Sequence, residues 1–125
     1  MHCFDGTIDM MIDESDEGKR FGWTKKRWLS DPRVPGSPLD AGEHCDTGAG
    51  QGHIVNPYIS RDAQGELLAF RAGLYLDDPL GAQWAQDIKD GKEVGLSIQY
   101  SNAFDARTGM IADTGCLRAA LLPAG

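Results

Sequence analysis

Three kinds of side chain in this 125-residue chain are equipped for covalent chemistry: one serine in a strand-like run, three histidines and three cysteines. The serine is Ser97, in the run Val94, Gly95, Leu96, Ser97, Ile98, Gln99, Tyr100. Alternation sends Val94, Leu96, Ile98 and Tyr100 to one face and Gly95, Ser97 and Gln99 to the other. With the apolar face in the core, Ser97 stands on the open face beside a glycine that leaves room for a substrate backbone. Most serines so placed are solvated and inert. A serine hydroxyl becomes a useful nucleophile only when an imidazole within hydrogen-bond reach takes its proton. His2 adjoins the start methionine and is expected to fray, His44 lies in a loop, and His53 opens a strand, where it is either a base or simply solvated.

The other chemistries are poorly supplied. Cys3, Cys45 and Cys116 form no Cys-x-x-Cys pair, and one is left over under any bridging, so reduced thiols are expected. Cys45 adjoins His44, but structural zinc uses tight ligand pairs that this chain lacks, so no metal or other cofactor is expected. The Gly-Ala-Gly-Gln-Gly run at 48–52 has no Lys-Ser/Thr of a phosphate loop and reads as a flexible loop.

The elements that must position Ser97 can be read from periodicity. Asp78 is a helix cap with Pro79 as the first helical residue, and Leu80, Trp84 and Ile88 recur on one face. Asp90-Gly91 stops this helix, and the period switches from four to two in the serine strand. Upstream, 3–12 predicts a strand, 25–29 a short helix, 30–52 a long Gly/Pro-rich loop, 54–59 a strand bulged or edged by Pro57, and 67–76 a long strand. Downstream, 104–111 predicts a hairpin and 116–122 a last apolar strand. The chain therefore reads as one domain, 1–125, of α+β, mainly β class: a small antiparallel β-barrel flanked by one or two helices.

A helix, a Lys/Asp-Gly turn and a strand reading Gly95-Leu96-Ser97-Ile98-x-Tyr100 resemble the nucleophile strand of the prohead (capsid maturation) proteases of tailed bacteriophages, relatives of the herpesvirus assemblins. The order of features upstream is similar: His44 in a loop, a Gly52 to Val55 step, an acidic turn at 62–65, a long strand, and Asp77-Asp78 before the helix. The tail Leu-Arg-Ala-Ala-Leu-Leu-Pro-Ala-Gly is similar to the family's final strand, and the resemblance spans roughly residues 42–125. It implies a herpesvirus-protease-like barrel and a serine endopeptidase with Ser97 as nucleophile and His44 as general base, with His53 the alternative base. The family's acidic third member is expected on the last strand, where this chain has Arg118. That leaves open Asp113 or Glu43 as substitute, a Ser-His dyad, an inactive relative, or Arg118 as oxyanion stabiliser. The family continues past this strand, which leaves open a truncated product.

By the same resemblance the substrates are scaffold segments of a major capsid or scaffold protein, cut inside the assembling procapsid in a bacterial cytoplasm. The alternative is a noncatalytic capsid-assembly or scaffold-binding protein of the same fold, and a homodimer is left open. Composition adds exclusions: a formal charge of −7, with Lys25, Lys26 and Arg27 as the one basic cluster, argues against sequence-independent nucleic-acid binding. No apolar run approaches bilayer-spanning length, and the acidic start is unlike a signal peptide, so no membrane partner is expected.

Overall fold

The computed structural model describes residues 1–8, 29–43, 45, 48–62, 65–100, 103–104, 107–108, 111–113 and 117–123. Strands β1 (His2–Thr7), β2 (Pro38–Ala41), β3 (Gly52–Asp62) and β4 (Gly65–Leu74) precede helix α1 (Pro79–Lys89). After it come β5 (Val94–Tyr100), β6 (Ala103–Phe104), β7 (Ile111–Asp113) and β8 (Leu117–Pro123). The protein is mostly β, and six strands close into a ring in the order β1-β4-β3-β2-β8-β5 and back to β1.

Alternation makes this ring possible. On β4, Leu68, Phe70, Ala72 and Leu74 are wholly buried while Arg71 is exposed. Phe4 of β1 meets the Phe70 ring edge-on at 5.9 Å, and Leu39, Ile54, Leu96 and Leu121 bring β2, β3, β5 and β8 into the same core. Each such side chain contributes roughly 1.5–3 kcal/mol by leaving water. β3 is irregular at a register shift between Ile54 and Asn56, whereas Pro57 itself sits in register opposite Phe70.

Three expectations are corrected. The ring is mixed rather than antiparallel: β2 runs parallel to β8 and β1 parallel to β5, because long stretches of chain separate these partners and allow crossovers. The 30–52 stretch is not one loop, since it contains β2, whose Leu39, Asp40 and Ala41 are buried. Four residues are too few for periodicity to register, and the flanking Pro and Gly mask them. In α1 the buried residues are Gly81, Trp84 and Ala85, with Ile88 partly covered, whereas Leu80 is 46% exposed. The close fit of Gly81 turns the helix this way: a Cβ there would collide with the Tyr75 carbonyl oxygen, and Gln51 O lies 3.2 Å off. The caps are as the sequence indicates, with Asp78 Oδ1 accepting from the Leu80 and Gly81 amides at 2.9 and 3.2 Å and Gly91 at φ +98°. The helix thus packs against β4 and β2, with Trp84 and Ala85 in the core cluster of the ring. Of the proposed helix at 25–29, residue 29 is described and is helical; of the first strand, 9–12 lie outside the described residues.

Candidate functional site

Ser97 occupies the middle of β5 and is half-buried. Val94 and Leu96 belong to the core and Ile98 packs against it, so Ser97 faces outward as its run predicts. Across the antiparallel pairing Ser97 is opposite Ala120 of β8, and across the parallel pairing Ala120 is opposite Asp40 of β2. Paired residues share a face, so Ser97, Ala120 and Asp40 form a row on the outside of three neighbouring strands, with Arg118 two residues from Ala120 on the same side. Strand spacing puts the Ser97 and Asp40 backbones about 10 Å apart.

This outer face is not open along its length. Asp40 is 0% and Arg118 5% exposed, and they form a two-pronged ion pair: Nη2 to Oδ1 at 2.7 Å and Nε to Oδ2 at 3.1 Å. Described residues between β2 and β3 lie against them. The Cys45 amide donates to Asp40 Oδ2 at 3.3 Å, and Arg118 Nη1 donates to the Gly48 carbonyl at 2.6 Å. The Gln51 side-chain oxygen accepts from the Ala41 amide at 2.9 Å, and the Gln51 backbone N–H donates to the Leu39 carbonyl at 2.8 Å. Burial of two charges is tolerable only when each is paired and further hydrogen-bonded; here all three guanidinium nitrogens of Arg118 donate and both Asp40 oxygens accept.

The candidate residues fare differently. His44 lies outside the described residues. Glu43 is exposed just after β2, and its carbonyl accepts from the Cys45 thiol at 3.8 Å. His53 is on β3, three strands from β5 whichever way the ring is followed, and its neighbour Ile54 is fully buried. Its ring therefore faces outward on the opposite wall from Ser97, where Nδ1 lies 3.1 Å from the Tyr75 hydroxyl. The fold does not bring His53 to the serine. Asp113 is on β7, paired with Ala103 of β6 in a two-stranded sheet separate from the ring. The Arg118 guanidinium is engaged with Asp40 and Gly48 rather than displayed for an oxyanion. Among the described residues no group of three or more His, Cys, Asp or Glu is arranged to hold a metal ion, and no helix is long and apolar enough to cross a membrane. Cys3 and Cys45 are free and exposed; Cys116 is outside the described residues.

The residue that sequence reasoning missed is Asp40. Its signal was an acid between two apolar residues, Leu39 and Ala41, which in a strand covered on both sides needs a cation, but nothing local says which one. A second acid-arginine pair lies on the far outer face, where Asp5 of β1 accepts from Arg71 of β4 at 3.0 and 3.2 Å and from the Tyr58 hydroxyl at 3.2 Å. The Arg71 guanidinium holds the Asp5 carboxyl below its usual range, and burial, reinforced by the Asp5 charge, pushes the Tyr58 phenol up. Comparison with protein-family models, with curated proteins and with solved structures found no match.

Proposed function

We propose that this chain is a serine endopeptidase of the prohead-maturation type, with an assemblin-like barrel, acting on scaffold segments of capsid proteins inside the assembling procapsid. The observation that carries this reading is the row Ser97, Ala120, Asp40, with the Cys45 amide bonded to the last of the three. Cys45 follows His44 in the chain, so the backbone bond at Cys45 supports His44 as the imidazole donor to the serine face, and the opposed position of His53 removes the competing base. The residues then have ordinary acyl-transfer roles. Ser97 Oγ attacks the scissile carbonyl carbon while the His44 imidazole takes its proton; the imidazolium protonates the departing amine, and water, activated by the same imidazole, releases the acyl group.

The ion pair also changes the electrostatic argument about Arg118. A lone cation beside the imidazole would oppose its protonation, but Arg118 is neutralised by Asp40, so position 118 of β8 carries neither the expected carboxylate nor an uncompensated positive charge. This favours a Ser-His dyad, with Glu43 or Asp113 the remaining candidates for a third member. The same burial favours the second reading, a noncatalytic capsid-assembly protein, because the two charges closest in register to Ser97 are committed to each other.

Labelling with a serine-directed fluorophosphonate, read by intact mass, separates the two. The expected result is stoichiometric labelling of wild type that disappears in both Ser97→Ala and His44→Ala. Folded wild-type protein that takes no label would move the assignment to the assembly role.

A further inference from the structure

A buried ion pair is a poor way to gain stability, because well-packed apolar residues of the same volume do as well or better. What an apolar replacement would lose here is the set of contacts that leave the pair. Asp40 reaches out to the Cys45 amide, and Arg118 to the Gly48 carbonyl. The acid is on β2 and the base on the adjacent β8, so one net-neutral unit ties two neighbouring strands to two separate points of the β2–β3 connection. Gly50 lets the backbone come this close: at φ +72°, a Cβ would lie 2.6 Å from the Leu39 carbonyl oxygen and 3.2 Å from Asp40 Oδ1.

We infer that Asp40 and Arg118 are positioning residues that fasten the β2–β3 connection against the outer face presenting Ser97. The catalytic consequence rests on the endopeptidase reading above; the fastening itself does not. Neither residue touches the reacting atoms. They act through the backbone at Cys45 and Gly48, and their mutual neutralisation lets them do so without adding net charge to the connection that carries His44 in sequence.

The test uses the full chain and two variants. Asp40→Leu combined with Arg118→Met removes both charges and strands neither, so the ring is expected to fold. Arg118→Lys keeps a paired cation but loses the planar fork that serves Asp40 and Gly48 together, and it gives the same readout if the double variant does not fold. Hydrogen exchange is followed on peptides covering residues 42–51 and on β4. Exchange over 42–51 is expected to be at least tenfold faster in the double variant, less so in Arg118→Lys, with β4 unchanged. Unchanged exchange over 42–51, or equal acceleration in β4, would overturn the fastening role. In parallel, the rate of fluorophosphonate labelling at Ser97 is expected to fall at least tenfold in the double variant and to be partly retained in Arg118→Lys. Labelling at the wild-type rate from a loosened connection would overturn the positioning role. If wild type itself takes no label, the endopeptidase reading fails and takes the catalytic consequence with it, while the exchange result still decides the fastening.

Discussion

The pairs Asp40–Arg118 and Asp5–Arg71 have the same chemistry, each an aspartate gripped by two guanidinium nitrogens across neighbouring strands, yet they stand on opposite sides of the ring in opposite surroundings. The side chains of Asp5 and Arg71 are 49% and 55% exposed; those of Asp40 and Arg118 are 1% and 5%. On the exposed side, water competes for both partners and salt screens them, so the pair decorates a strand pairing that β1 and β4 make without it. On the buried side the charges face each other and nearby backbone groups rather than water. Geometry alone does not rank such pairs; access to water does.

The comparison is tested most severely by stranding one buried charge. Asp40→Asn or Arg118→Met, made singly, is expected to cost about 3–5 kcal/mol in urea denaturation, and a loss under about 1 kcal/mol would show that water reaches the pair. Next in size is Gly50→Ala, which forces a side chain into left-handed backbone and against the Leu39 carbonyl. A loss of roughly 1–3 kcal/mol is expected, and a stable Gly50→Ala protein would mean that the connection does not lie as close to β2 as described. The smallest effect is at the exposed pair, where Asp5→Asn should cost no more than about 1 kcal/mol and should cost less in high salt.

The exposed pair also carries a signed pH dependence. The Asp5 carboxyl is held below its unfolded value, so its contribution is fully present above that value, about 3.9, and is lost as pH falls through the lower folded one. Thermal melts from pH 5 down to pH 2 should therefore show a shallower loss of stability in Asp5→Asn than in wild type. Equal slopes in the two proteins would mean that Arg71 does not hold the carboxylate in solution.

Much of the ring was legible because it is written in alternation. The β4 core residues and the outward turn of Ser97 follow from period two, and α1 is delimited by Asp78, Pro79 and Gly91, which cap and stop a helix for local reasons. The misread parts are those where a non-local partner decides. Leu80 fits an apolar helical stripe, but Gly81 sets the helix rotation through its contact with Tyr75. Asp40 looks like a loop acid until Arg118, 78 residues away in sequence, is placed beside it. Parallel pairing of β2 with β8 has no local signature at all, and it creates both the buried pair and the row that contains Ser97.

The place of β8 in the ring has a kinetic side. It lies between β2 and β5 although it is the last ring strand in chain order, so as the chain is synthesised, β2 waits for most of the sequence with one edge unfilled and Asp40 without its cation. Closure of the ring and neutralisation of that carboxylate are then a single late event, dominated by contacts of large sequence separation, and folding should be slow for a protein of this size. A nascent chain stalled before residue 117 would expose the β2 edge, which makes β8 the strand whose arrival separates a closed ring from a chain prone to pair with its neighbours.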